Sequence, residues 1–429
     1  MSFSFSSKYH YTLYRNRQER LLSMVAEQFG TTGIVLLFAN TDFANEPFVQ
    51  ESSFYYLTGL QESGLVCELS FDGNTQLYYP AYTSKRSQWI LSENSHIDTF
   101  VMQSGAKKVP LGNPIAGYQT SVLFEQKQYQ ALIDQLNEVI AQGGYIATLF
   151  PSSVTSYVQQ QLIIQRLSEY VPHLKKQIKD ISPLLALLRR TKDEHEYALM
   201  IEAAEITIQA HQAAAQEIQA GVSEKIVEMI ITSCMHDAQA KHAFLPIIAS
   251  GVNGTILHYT QNSDVLKDGD LVVIDIGAQY EHYCADVTRT YPVSGTFSKR
   301  QKELYEIVLE TQRYVESCAR PGVWLNNKEK PQESLNHLAQ MFLAQKGYAQ
   351  YFPHGIGHYL GLDTHDVGDY STPLQVGDVI TIEPGIYIPE EKFGIRIEDD
   401  VVIQPNGAPF NLMKNIPITV EEIESIMNT

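Results

Sequence analysis

Apolar residues recur at three- to four-residue intervals between positions 14 and 29, with Leu21, Leu22, Val25 and Ala26 on one face, which predicts a helix. The unbroken apolar run at 33–38 predicts a buried strand, and the stretches 54–57, 65–71 and 75–79 predict three more. After Pro151, a periodic stretch predicts a long helix over 152–171. A polar stretch at 175–183 then ends in Ser182-Pro183, which divides the chain into an expected first domain, 1–176, and a second, 177–429. The second opens with the apolar run 184–188. Thr191-Lys-Asp-Glu194 marks a helix start with acidic first-turn residues, and the Ala-, Ile- and Glu-rich stretch 194–220 continues that helix.

Four later strand-like runs carry carboxylates inside apolar surroundings. Asp275 lies in LVVIDIG (271–277), Asp286 in CADVTRTY (284–291), Glu383 in VITIEPG (379–385) and Glu398 in GIRIE (394–398). A hairpin reversing at Tyr280–Glu281 sets Asp275 opposite Asp286, where Cβ atoms are about 4.5–5.5 Å apart. A second reversal at Glu390–Glu391 sets Glu383 opposite Glu398, provided no bulge at Pro384-Gly385 shifts the register. Facing carboxylates repel. Two divalent cations about 3.5–4 Å apart turn the same arrangement into a bridge.

The two strand pairs also read as copies. DGDLVVIDIG (268–277) aligns with VGDVITIEPG (376–385) at an offset of 108, matching Gly269 to Gly377, Asp275 to Glu383 and Gly277 to Gly385. Two related half-domains that meet face to face would each give two carboxylates to one centre. The plainer alternative is two unrelated strands that both follow a Gly-Asp turn. A fifth donor, His358, comes from PHGIGHYLGLDTHD (353–366). His354 and His358 have the spacing of a helical zinc motif, but Gly355 and Gly357 disfavour a helix, and no His-Glu-x-x-His pattern occurs. His354, His358 and His365 in an apolar, Gly-rich segment point to a site where backbone approaches a ligand closely. Four carboxylates and an imidazole form a donor set for hard or borderline divalent cations. Arg396, two residues before Glu398, points to the same face of an extended strand, where it would orient a ligand among the carboxylates.

Composition narrows the function classes. The 429 residues carry a net charge of −18, with 44% hydrophobic and 19% charged residues, which is ordinary for a globular protein and disfavours nucleic acid or an anionic membrane surface. No apolar run is long enough for a membrane span, and the first eight residues show no export signal. Cys67, Cys234, Cys284 and Cys318 form no CxxC pair, so a reduced, cytoplasmic protein is expected.

Asp275 in IDIG, Asp286 in ADVTRT, His358 in HGIGHYLGLDTHDVG, Glu383 in TIEPG, Glu398 in IRIEDD and His258 in SGVNGTILHYT together resemble the aminopeptidase P and prolidase branch of the pita-bread-fold metallopeptidases. The bacterial-type Xaa-Pro aminopeptidases are the most similar group. QESSFYYLTG (50–59) resembles the amino-terminal signature of the same branch, except that Val49 stands where that family often has Arg. The resemblance implies an α/β (α+β) architecture: a smaller amino-terminal α/β domain and a catalytic pita-bread domain with pseudo-twofold half-domains.

It also implies a chemistry. Asp275, Asp286, His358, Glu383 and Glu398 would hold two divalent ions, Mn²⁺ first and Co²⁺ or Zn²⁺ as alternatives, with a bridging hydroxide as nucleophile. Glu383 would double as general base. His258 and His365 would serve the oxyanion, while His354, Arg396 and Tyr387 would contact substrate. The substrate class is peptides with proline second, and the assembly a homodimer or homotetramer. The alternatives are a dipeptide-specific prolidase and, more remotely, a non-catalytic peptide-binding relative. A methionine aminopeptidase fits poorly with so large an amino-terminal domain. A metal-free creatinase or a pseudoenzyme fits poorly with an intact ligand set. Cys284, two residues before Asp286, raises the question of oxidation sensitivity.

Overall fold

In the computed structural model, which describes residues 11–42, 47–84, 94–115, 124–152 and 157–428, the amphipathic stretch at the start forms α1 (Tyr11–Phe29) and buries Leu21 and Val25. Contacts divide the chain into two compact units, Met1–Leu188 and Arg189–Thr429. That division falls after the boundary expected at 176, because the next strand along the chain, residues 178–180, still pairs with the first unit's sheet.

Among the described residues the first unit is built on six strands: β1 (Ile34–Phe38), β2 (Val66–Ser70), β3 (Thr75–Tyr79), β4 (Lys107–Pro110), β5 (Ile146–Thr148) and β6 (Ile178–Asp180). Their order is β4-β3-β2-β1-β5-β6, and the wholly buried β1 runs antiparallel to β2 and parallel to β5. The sheet is accompanied by α2 (Ser52–Thr58), α3 (Asn94–Ser104), α4 (Gln130–Ala141), α5 (Val158–Leu167) and α6 (Leu174–Gln177).

Two expectations fail here. Residues 54–57 are helical, not a strand: the Glu51 carboxylate caps α2 by accepting the N–H groups of Ser53 and Phe54, and Gly59 ends the helix in the left-handed region. A side-chain cap acts before propensity decides, so four apolar residues in a row carry no strand information. Gln50 of the same signature is a backbone clamp, accepting the Asn40 N–H and donating to the Leu60 and Glu62 carbonyls. The helix predicted over 152–171 is the shorter α5, which begins after Tyr157 in the left-handed region; residues 153–156 lie outside the described residues.

α7 (Ser182–Arg190) leads into the second unit. There α8 (Glu194–Glu217) starts with a capping box between Asp193 and Glu196, close to the predicted signal. α9 (Glu224–Asp237), α10 (Lys299–Cys318), α11 (Leu335–Lys346) and α12 (Val420–Met427) complete the helices. The strands are β7 (Lys241–His242), β8 (Ile247–Ser250), β9 (Leu271–Ile276), β10 (Ala278–Tyr280), β11 (Tyr283–Cys284), β12 (Val287–Pro292), β13 (Val379–Ile382), β14 (Gly385–Ile388), β15 (Phe393–Arg396), β16 (Asp399–Val402) and β17 (Phe410–Asn411). One large apolar cluster packs the helices against both sets of strands, from Ile206 of α8 to Ile423 of α12.

The predicted duplication is visible in the strands. β9 and β13 begin 108 positions apart, each preceded by a glycine at φ +84° (Gly269) or +87° (Gly377). In the second copy the register matches expectation: Gly385 pairs with Arg396 on one side of Glu383 and Ile382 with Asp399 on the other. The ladder lapses at Glu383-Pro384 without a slip, so Glu383 and Glu398 occupy facing positions. In the first copy the turn is Glu281–His282, both at positive φ, one residue later than expected. Asp275 therefore pairs with Thr288, and Asp286 is its diagonal neighbour on the same face. Nothing in the Glu-His dipeptide marks such a turn, in contrast to the Asn-Gly or Asp-Gly that usually do.

Candidate metal centre

The two hairpins bring their carboxylates to one place. Oxygen and nitrogen atoms of Asp286, His358 and Glu398, all buried, lie within 4.8 Å of one another. Glu383 Oε1 is 3.8 Å from His358 Nε2, and Asp286 Oδ2 is 3.4 Å from the same nitrogen. Asp275 joins through Arg396, whose guanidinium donates to Asp275 Oδ2 at 2.6 Å, to the Tyr387 hydroxyl at 2.8 Å and to Thr288 Oγ1 at 3.0 Å. All five predicted ligands, together with His258, His354, His365 and Arg396, line one pocket of about 490 Å³. Tyr387 stands behind that wall, joining Arg396 to His354.

The histidine segment is irregular, as its glycines required. It runs beside β13: the Thr381 N–H donates to the His358 carbonyl at 2.9 Å and the Glu383 N–H to the Ile356 carbonyl. At Gly357 a Cβ would meet the Thr381 carbonyl oxygen, so only glycine lets the backbones come this close. His358 Nδ1 lies 3.0 Å from the Tyr359 carbonyl. A proton there leaves the Nε2 lone pair facing the carboxylates, the tautomer that a cation needs. His365 packs against His358 with ring centroids 4.2 Å apart and the rings tilted by 47°. Its neighbour Asp366 is fixed by Arg189 and Lys192, which are buried with it.

Electrostatics make the cluster costly without cations. Burial, then the neighbouring carboxylates Glu398 and Asp275, push Asp286 well above its usual range. Burial, then Glu383 and Asp275, do the same to Glu398. Glu383 is raised to about 7, first by burial and then by Asp286 and Asp275, with His358 and Arg396 acting against the shift. Burial lowers His354 to about 4 and lowers His365, so both imidazoles are neutral near pH 7. Burial opposes the charge on Arg396, but Tyr387, Asp275 and Glu398 outweigh it and keep the guanidinium ionised.

The residues present fit a divalent centre. Asp275 Oδ1 is buried and has no hydrogen-bond partner among the described residues, although its other oxygen is held by Arg396. A buried, unsatisfied carboxylate oxygen is costly and is explained by an ion it would bind. The donor set is oxygen-rich with one imidazole, and its supporting hydrogen bonds are in place.

The electrostatics give a signed expectation. A carboxyl raised to about 7 in the folded protein, against 4.5 ordinarily, keeps its proton over a window in which the unfolded chain has released it. Its contribution to stability is present below the unfolded value and is lost as pH rises through the folded value. Metal-free protein should therefore show a Tm falling on the order of 5 °C between about pH 5 and pH 7.5, and saturating Mn²⁺ should flatten that slope. Thermal melts in chelator and in Mn²⁺ test this; a metal-free Tm that rises across the window contradicts it.

Three participants were not singled out from sequence. Thr288 Oγ1 donates to Glu398 Oε2 at 2.7 Å, while the Glu398 N–H donates to the Thr288 carbonyl and so stitches one copy to the other. Asp400 Oδ2 accepts the Asp286 N–H at 3.0 Å. Arg289, buried against Asp399, donates to the main-chain carbonyls of Thr288 and Glu398. The shifted first register hid Thr288. Alternation along IRIEDD would have put Asp400 on the face of Glu398. Cys284 is buried between Gln279 and the Leu362 carbonyl, and burial pushes its thiol up to about 12, so it carries no reactive thiolate.

Comparison with known proteins identifies the family. The model of metallopeptidase family M24 matches residues 198–405, and that of the aminopeptidase P amino-terminal domain matches residues 14–127. The Xaa-Pro aminopeptidase of Escherichia coli is 31% identical over 96% of this chain and 98% of its own length. The Xaa-Pro dipeptidase of Pyrococcus horikoshii is 40% identical over 54% of this chain and 65% of its own length. The structure of proline aminopeptidase P II from Yersinia pestis superposes with a TM-score of 0.81 at 27% identity, covering 98% of this chain and all of that one.

Proposed function

Because the chain belongs to metallopeptidase family M24, we propose that it is an Xaa-Pro aminopeptidase that releases the first residue of peptides with proline second, using two divalent ions held by Asp275, Asp286, His358, Glu383 and Glu398. The observation that carries the reading is the convergence of four carboxylates and one imidazole on a single pocket, with Asp275 Oδ1 left unpaired. Mn²⁺ suits this oxygen-rich set better than Zn²⁺. When bound, such ions would polarise the scissile carbonyl and lower the pKa of a water toward about 7.

The chain's own groups do the rest. Glu383 has the most exposed side chain of Asp275, Asp286 and Glu383, at 19% against 12% and 7%, and faces both His358 and His354. Its carboxylate can take a proton from the attacking water and return it to the proline nitrogen of the leaving group. His258 and His365 line the same pocket, where an imidazole N–H can donate to a developing oxyanion, while His354, with Nδ1 at the Gly355 carbonyl and Nε2 at the Tyr387 hydroxyl, is placed to contact substrate. Phe244, Leu245, Ile247 and Leu257 form an apolar wall suited to a pyrrolidine ring. A tertiary amide offers no N–H for alignment, so shape must hold it. Arg396, tied to Tyr387 and Asp275, fixes the floor.

The relative named as a dipeptidase, 40% identical over half of this chain, favours prolidase as the second reading. The four free thiols fit a reducing compartment, and the proposal places the enzyme in the cytoplasm. The test is hydrolysis of Ala-Pro-Ala and Ala-Pro by Mn²⁺-loaded protein. Cleavage of the tripeptide ahead of proline is expected. Turnover of the dipeptide alone moves the assignment to prolidase, and inactivity toward both overturns it.

A further inference from the structure

α9 opens with a side chain that the centre does not use. Glu224 is completely buried, yet its carboxylate accepts five hydrogen bonds from four positions. Oε1 receives the Ser250 N–H at 2.8 Å, the Ser250 hydroxyl at 2.7 Å and Asn253 Nδ2 at 3.3 Å. Oε2 receives the Tyr259 hydroxyl at 2.8 Å and the Asp264 N–H at 2.9 Å. A buried carboxylate persists only when donors satisfy it, and its place in the first turn of a helix adds a favourable dipole. One turn on, Glu228 Oε2 accepts Asn262 Nδ2 at 3.0 Å, and the same amide donates to the Pro246 carbonyl at 2.9 Å. Asn262 Oδ1 in turn accepts the Ile248 N–H at 3.0 Å.

The segment held in this way, residues 250–264, is the one that carries Leu257, His258 and Thr260 into the pocket. Glu224 grips it on both sides of His258, at Ser250 and Asn253 before and at Tyr259 and Asp264 after. The far side of the segment is equally constrained: the Gly254 carbonyl lies where a Cβ on Gly394 of β15 would be. His258, itself exposed, is thus mounted on a strap whose position is set by α9.

Resting on the assignment of His258 to the substrate, we propose that Glu224 is a positioning residue that sets His258 against the carboxylate centre. Neutralising it turns one oxygen acceptor into an NH₂ donor that faces donors, so the strap must shift. The prediction is specific to His258. In Mn²⁺-loaded enzyme assayed on Ala-Pro-Ala, Glu224→Gln is expected to lower kcat/KM about tenfold with metal content unchanged, by the coupling rule for residues in one network. In a His258→Ala background the same substitution should change kcat/KM less than twofold. Tyr259→Phe removes a single donor and should show a smaller loss with the same dependence on His258, which keeps the test decisive if Glu224→Gln does not fold. An equal loss in both backgrounds, or no loss in either variant, overturns the proposal. If His258→Ala alone leaves kcat/KM unchanged, the assignment of His258 has failed and the positioning role falls with it, while hydrolysis of Ala-Pro-Ala by the parent stands as a separate result.

Discussion

Glu383→Gln is expected to reduce kcat on Ala-Pro-Ala by about 10³-fold, near the middle of what positioned acid–base groups contribute. The substitution keeps side-chain size and leaves an oxygen for coordination, so the folded protein should still take up metal. What it removes is the proton-carrying oxygen that faces His354 Nδ1 at 3.7 Å and the pocket beyond. Asp286 and Glu398 cannot substitute, because both are buried more deeply and Glu398 already accepts from Thr288. Steady-state kinetics alongside metal analysis check the point. A loss of less than tenfold, with metal retained, would remove Glu383 from the proton path.

Arg396→Met should be the most destabilising single change at the centre. The guanidinium is buried, makes three side-chain hydrogen bonds and is the ionised group that pairs with Asp275. Removing one partner of a buried pair leaves the other uncompensated, at a cost of about 3–5 kcal/mol. The carboxylates are already pushed upward by one another, so the cost should be largest in metal-free protein and smaller once Mn²⁺ supplies positive charge. Denaturant unfolding in chelator and in Mn²⁺ would show the difference. Equal losses in both would mean that Arg396 acts by packing alone.

How far such a site can be read from sequence depends on which features are local. The second hairpin was legible to the residue, since its polar reversal at Pro389-Glu-Glu-Lys392 and its alternating flanks fix the register, and the lapse at Pro384 did not move it. The first was displaced because Glu281 and His282 take left-handed conformations that their side chains do not advertise. The shift by one turn position kept the face, so Asp286 remained in the site while its pairing to Asp275 did not. In the first unit, Phe54–Tyr55–Tyr56–Leu57 looked extended by composition, and a capping carboxylate three residues upstream, on Glu51, made it helical. The histidine segment was legible as irregular from Gly355 and Gly357. That it lies along β13 was not, because the close approach at Gly357 is a tertiary contact. Glu224 was invisible for a different reason: a buried carboxylate that meets only neutral donors has no sequence signature.

The stitch between Thr288 and Glu398 also bears on the order in which the molecule assembles. Within the first hairpin the Asp275–Thr288 pair closes a loop of thirteen residues, whereas Thr288 and Glu398 are 110 residues apart. Loop-closure entropy makes the second contact dearer by about 2 kcal/mol, so each hairpin can zip up before the pair is joined. The donor set is complete only after that step, since each hairpin supplies two of its four carboxylates. Metal uptake during refolding should then follow recovery of the tertiary fold, and it would report the moment at which the duplicated halves recognise each other.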